Sequence, residues 1–367
     1  MTTIRDVCNF LKTIAPLHLA EDWDNVGLLL GDDAVPVQRA MTCLTLTTNV
    51  ADDAVRCGAN LIVTHHPVLF KPVKKITSEN AEGRMLLTLL RHGIAVYSPH
   101  TAWDNSAGGI NQQLADMLEL REIAPLRSKV TADQVKLVTF VPEPQLEQVR
   151  SALWEAGAGV IGNYQHCSFN IKGTGTFYGL DSTNPAVGQS GRLEQVEEIR
   201  LEVVCMAKRL DRVLNALRAT HPYEEPAVDI FSVKTLGDRV GSGRFGNLPQ
   251  PRRLDELNRL ISEKLKQPNL QFVGDPALVI ERLGIACGAA AEFLRDALRV
   301  GCQALLTGEA RFHSSLEAID LGMGMILPGH YATERFAMET LADRLSTEFS
   351  HLIVKASESE KDPVQTA

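Results

Sequence analysis

The chain of 367 residues has no C-x-x-C pair, no run of Lys or Arg longer than two, and no apolar stretch of the roughly 18 residues that a membrane helix needs. Each absence removes a class. The seven cysteines (Cys8, Cys43, Cys57, Cys167, Cys205, Cys287, Cys302) are odd in number and scattered, which argues against a disulfide framework or a thiolate metal site and for reduced thiols in a cytoplasmic protein. A net charge of −8, from 37 basic and 45 acidic side chains, argues against wholesale binding to nucleic acid or to an anionic membrane. The first residues carry Arg5, Asp6 and Lys12 within an amphipathic pattern and lack the uncharged core of a secretion signal. A P-loop, a G-x-S-x-G elbow, low-complexity tracts and short-period repeats are also missing, and no Cys/His pair adjacent in sequence looks catalytic. What remains is a chain that is 44% apolar and long enough for two domains, or three, each with its own core.

Ile4, Val7, Phe10, Leu11 and Ile14 recur at helical spacing before Pro16 ends the pattern. Short apolar runs (41–46, 61–64, 94–98) then alternate with helical stretches near 50–57 and 84–92, the grammar of a parallel sheet covered by helices. It changes near Ser128. A strand (135–141), a helix (145–156) and an alternating Gly/Thr-rich strand (169–177) are followed by a strand (201–207), a helix (210–220) and a strand (228–233), two small β-α-β units that suggest a ferredoxin-like module. Beyond Arg239 the first pattern resumes, with strands at 278–287, 303–306 and 325–327, helices at 291–300 and 312–321, and a final helix at 332–345. The expected organisation is an α/β body in two parts, 1–126 and 237–356, interrupted by an α+β module at 127–236 and followed by a polar tail, 357–367, expected to be disordered.

Chemistry-bearing residues gather where strands end. Val63-Thr64 runs into His65-His66-Pro67, and ligands in parallel sheets bind at such carboxyl ends. Neighbouring strand residues face opposite ways, so both imidazoles serve one site only if the chain bends there; otherwise one is packed and one faces solvent. Ser98-Pro99 leads to His100 and Asp104, with Asp104 alternatively a helix cap and His100 a hydrogen-bonded structural residue. Pro328-Gly329 opens a helix carrying His330 and Glu334 four apart, on one face, a spacing that a solvated ion pair also satisfies. Thr307-Gly308 precedes Glu309 and His313, again four apart, which could orient ligands or move protons, or simply complement a helix end and pack.

The chain has only ten histidines, and three strand ends each supply imidazole or carboxylate, so a shared metal site is the better reading. Nitrogen and oxygen donors without thiolate suit Zn, Fe, Mn, Co or Ni, and five ligands exceed the usual three of a catalytic zinc, favouring two ions. Gly241-Ser242-Gly243-Arg244-Phe245-Gly246 has the letters of a dinucleotide fingerprint but not the strand before it and the helix after it. His221-Pro222-Tyr223-Glu224-Glu225-Pro226 reads as an exposed bend.

Asp24-Asn25-Val26-Gly27-Leu28, Thr64-His65-His66-Pro67, the run from His100 to Asn105, Thr307-Gly308-Glu309 and Gly329-His330-Tyr331-Ala332-Thr333-Glu334, in this order, resemble the Nif-three-like dinuclear metal proteins, known as GTP cyclohydrolase 1 type 2 homologues. The inserted module and its His221 to Glu225 turn are similar to the extra domain of the longer bacterial members, related to the PII and CutA type of fold. The resemblance implies that His65, His66, Asp104, His330 and Glu334 hold two divalent ions in a cavity between the α/β halves. It also implies homohexamers in which the extra domains cover the openings of a ring. Glu309 stands where many members have Asp. The implied reaction opens the guanine ring of GTP at C8 with metal-activated water and releases formate, with Glu309, His313 and His100 as candidate proton carriers. Two other classes use the same ions: a phosphoesterase or nucleotide hydrolase, and a non-catalytic metal-binding regulatory ring.

Overall fold

Ile4, Val7, Cys8 and Leu11 form the buried stripe of α1 (Ile4–Ile14), and Thr3 and Asp6 close its first turn with a reciprocal capping box. The computed structural model describes residues 1–365, and the side chains of all of these except 130–133 and 234–238. After α1 come β1 (Gly27–Leu30), β2 (Arg39–Cys43), α2 (Thr48–Cys57), β3 (Leu61–Thr64), α3 (Ala81–Arg91), β4 (Ala95–Ser98), α4 (His100–Asp104), α5 (Ile110–Met117) and β5 (Arg121–Ala124). Then follow β6 (Arg127–Pro142), α6 (Leu146–Glu155), β7 (Phe169–Tyr178), β8 (Leu193–Met206), α7 (Leu210–Thr220) and β9 (Val228–Ser242). The chain ends through β10 (Arg244–Arg253), α8 (Leu254–Leu265), β11 (Gln271–Val273), β12 (Val279–Ala286), α9 (Leu294–Arg299), β13 (Ala304–Thr307), α10 (Phe312–Asp320), β14 (Gly324–Leu327), α11 (His330–Glu334), α12 (Ala337–Glu348) and β15 (Ile353–Ala356).

Two units result: Met1–Lys129 with Asp238–Ala367, and Val130–Gly237. The first is an α/β body of two sheets. In one, β15, β2, β3 and β4 are parallel neighbours and β1 closes the edge antiparallel to β4. In the other, β12, β13 and β14 are parallel, while β11, β10 and β5 join antiparallel. The sheets are therefore mixed rather than wholly parallel. Parallel pairing needs a crossover, and the successions β2-α2-β3-α3-β4 and β12-α9-β13-α10-β14 supply it, whereas the antiparallel strands β1, β5, β10 and β11 lie outside those crossovers. Every residue of β3, β4 and β13 is buried, as strands covered on both faces must be. Their carboxyl ends carry the histidines and acids of interest.

In the second unit the order is β7-β8-β6-β9, and β8 pairs antiparallel with β6 and β7. Val135, Leu137, Leu201 and Val203 pack against Val149 and Leu153 of α6 and Val213 and Leu217 of α7.

Three further expectations need correction. The start of the tail is docked rather than loose: Ser357 is buried and its N–H donates to Thr42 O at 2.8 Å, while the Glu360 carboxylate accepts from the Leu44 and Thr45 amides and pairs with Arg335 at 2.9 Å. Residues 366 and 367 lie outside the described residues. The final helix is broken at Arg335-Phe336, where Arg335 turns to that tail. The His221 turn is not a freely exposed bend, since the imidazole is only 8% exposed.

Candidate metal centre

β3 stops at Thr64 and the next two residues bend. The His65 and His66 amides still bond to Cys43 O and Leu44 O at 2.9 and 2.8 Å, and Ser98 Oγ donates to His65 O at 2.6 Å. The bend brings both imidazoles to one side, with ring centroids 5.2 Å apart. After β4, the short α4 places His100 and Asp104 one turn apart. His100 has φ of +29°, rare for a residue with a Cβ, and Asp24 holds it there. Asp24 Oδ1 pairs with His100 Nδ1 at 2.7 Å, and Asp24 Oδ2 accepts from Thr101 N at 3.1 Å and from the Thr101 hydroxyl. After β14, α11 presents His330 and Glu334. A Cβ at Gly308 would lie 2.7 Å from the His330 Cα, so only glycine lets the end of β13 pass this close to α11.

The side chains converge in a cavity of about 680 Å³ whose lining includes His66, His100, Asp104, His330, Glu334 and Trp23. Glu334 Oε2 stands 3.1 Å from both His66 Nε2 and His330 Nε2, and these three could hold a metal ion. His65, His66 and His100 form a second such group. His65 Nε2 and Asp104 Oδ1 are 3.6 Å apart, too far for a hydrogen bond. Both His65 ring nitrogens and Asp104 Oδ1 are buried without a partner. Burying such atoms unpaired costs on the order of 1–3 kcal/mol each, so the arrangement fits a cation between them.

The protonation states follow from burial and neighbours. Burial, aided by Glu334, pushes the Asp104 carboxyl up to about 8. Burial holds His65 well below the usual imidazole range. Glu334 is buried too, but its bonds to His330 and His66 outweigh this and hold it below the ordinary carboxylate range; His330 in turn is raised to about 9 by Glu334. For His100, burial acts downward, yet the Asp24 bond and nearby carboxylates leave it raised. Burial likewise opposes ionisation of Asp24, but hydrogen bonds from His100 and Thr101 bring it down to about 2.

His65, His66, Asp104, His330 and Glu334 are thus brought together, and His100 lies with them. Glu309 is exposed and touches the cluster through His330, whose Nδ1 it meets at 2.9 Å. His313 does not join: it is exposed at the start of α10, its ring edge-on to Phe312. Asp24 was not anticipated as the residue that orients His100; its place in the Asp24 to Leu28 motif was the available signal. The Gly241 to Gly246 stretch is structural. Arg244 is 1% exposed and donates to Gln112 Oε1 at 3.0 Å, to Gly241 O at 2.8 Å and to Gly243 O at 2.6 Å.

The comparisons with known proteins agree along the whole chain. The model of Duf34/NIF3 (NGG1p interacting factor 3) matches residues 2–363. The chain belongs to this family. Among its Duf34/NIF3 relatives, a GTP cyclohydrolase 1 type 2 homolog of Halalkalibacterium halodurans is 37% identical over 324 residues, 88% of this chain and 87% of that protein. The Bacillus subtilis protein of the same name is 35% identical over 343 residues, 94% and 92% of the two chains. A Bacillus cereus protein related to NIF3 superposes with a TM-score of 0.83 at 30% identity, covering 100% of this chain and 99% of that one. A metal-capable His/Glu cluster in a Duf34/NIF3 fold is what the site amounts to.

Proposed function

We propose that this Duf34/NIF3 protein is a hydrolase that works with two divalent cations held by His65, His66, Asp104, His330 and Glu334, and that its substrate is a nucleotide, in the first instance GTP. The unpartnered, buried His65 nitrogens and Asp104 oxygen carry the metal reading. The relatives' name, GTP cyclohydrolase 1 type 2 homolog, directs the choice of substrate. Ions bound there supply Lewis acidity and a water of lowered pKa, the chemistry needed to open a guanine ring at C8 and release formate. Nitrogen and oxygen donors suit Zn, Fe, Mn, Co or Ni. Cys287 also lines the cavity, and burial raises its thiol well above the ordinary range.

The chain's own residues do the rest. Asp24 fixes the tautomer and aim of His100 through Nδ1, leaving Nε2 to take a proton from the attacking water or return one to the leaving nitrogen. Glu309 orients His330 from outside. Trp23 and Phe70, 5.9 Å apart at the cavity, offer a planar base a face to stack on.

Metal-loaded protein should turn GTP over with formate as a product, and His65→Ala should lower kcat/KM by about two orders of magnitude or more through lost metal. Phosphate without formate would replace ring opening by phosphoester hydrolysis. Metal uptake with no turnover across a nucleotide panel would leave a binding ring in place of an enzyme.

A further inference from the structure

We propose that a second cavity, of about 450 Å³ and wholly within the Val130–Gly237 unit, binds a small organic cation: an ammonium or guanidinium group carried on an apolar body. Its floor is the face of the sheet opposite α6 and α7, and its walls are the 179–187 loop and the His221 to Glu225 turn. The volume is that of a small-molecule site. Three aromatic residues, Phe140, Phe177 and Tyr223, line it together with Glu198, Glu224 and Glu225, and Tyr178 borders it from the neighbouring strand position. No Lys, Arg or His is among the described lining residues. Arg200, on the same sheet face, pairs with Glu202 at 2.8 Å and lies over the outer part of Phe140, 5.8 Å from the ring centroid, so the open aromatic faces are those of Phe177 and Tyr223. Aromatic faces with an uncompensated negative charge are the environment that attracts organic cations.

The site is built, and the building explains a motif that the metal centre leaves unused. Buried His221 donates from Nε2 to Phe140 O at 3.1 Å and accepts from Tyr223 N–H on Nδ1 at 3.1 Å, so one imidazole sets the positions of two lining aromatics. Both bonds require the neutral ring, and burial keeps its pKa below the usual value. Tyr223 OH then donates to Glu198 Oε1 at 2.7 Å. The other oxygen, Oε2, occupies the space over Gly175 where any Cβ would collide with it. Glu224 Oε1 accepts from Asn184 N at 3.2 Å and joins the two walls. Glu198 is thereby held in the cavity by Tyr223, with no ion-pair partner among the described residues.

The test is calorimetric titration of the full chain with phenethylamine, benzyl alcohol, phenylacetate and, separately, Mn²⁺. Phenethylamine should bind one per chain, at least about tenfold more tightly than the neutral and anionic analogues, and Glu198→Gln should weaken it about tenfold or more. Tyr223→Phe, which keeps the ring but frees the carboxylate, should weaken it less, and the melting curve of each variant shows whether the unit is still folded. Equal binding of the three organic probes, unchanged binding in folded Glu198→Gln protein, or Mn²⁺ uptake that depends on Glu198 without phenethylamine binding would each overturn the proposal. The metal centre does not enter these readouts.

Discussion

At the scale of single residues, the candidate centre is defined by mismatch. His65 is buried with neither ring nitrogen satisfied, and half-buried Asp104 turns a buried Oδ1 without a hydrogen bond toward it. In water each would be solvated; a cation between them would satisfy both. A consequence concerns protons. With Asp104 raised to about 8 and His330 to about 9, both hold a proton at pH 7 in the metal-free protein, and both must lose it to coordinate. Metal binding should therefore release protons, and apparent affinity should climb as pH rises from 6 to 8, by about tenfold per pH unit for each proton released. Titration with Zn²⁺ in two buffers of different ionisation enthalpy measures this. A flat affinity across that range would mean that the two groups are already deprotonated or do not bind.

At the scale of elements, the centre depends on what happens just after each strand. A bend after β3, a one-turn helix after β4 and another after β14 convert positions scattered along the chain into one cluster. The tail acts as a fourth support. Glu360 accepts from Thr45 N, and the Thr45 hydroxyl meets His66 Nδ1 at 2.7 Å, so the order of residues 357–361 reaches a candidate ligand through two bonds. Truncation after Ala356 removes charge-assisted bonds worth about 2 to 4 kcal/mol in total and should lower the melting midpoint by roughly 5 to 10 °C. Metal affinity should fall with it, and Glu360→Gln should show part of both effects. An unchanged midpoint by calorimetry would show that the strap contributes nothing.

At the scale of the whole molecule, the family resemblance implies an assembly, and we propose that the chain forms a homohexamer. Light scattering after size exclusion should give a mass about six times that of the chain; a monomer at micromolar concentration would refute it. Metal removal by a chelator should leave that mass unchanged if the ring is held by protein surfaces alone, and reduce it if the centre braces the subunit.

How much of this was legible beforehand depended on the range of the forces involved. Helix and strand periodicity is local, so Leu61–Thr64 and Leu210–Thr220 are readable from their own residues, and the alternation of such runs identifies an α/β fold. The types and spacing of His65, His66, His100, Asp104, His330 and Glu334 likewise mark them as donors. Their meeting was not local information. Whether two adjacent histidines face one site is decided by a backbone bend that Ser98 helps to hold, and which nitrogen of His100 is free is decided by Asp24, 76 positions away. The docked tail and the buried His221 were misread for the same reason: a polar stretch looks solvated until the distant amides and carbonyls that satisfy it are in place.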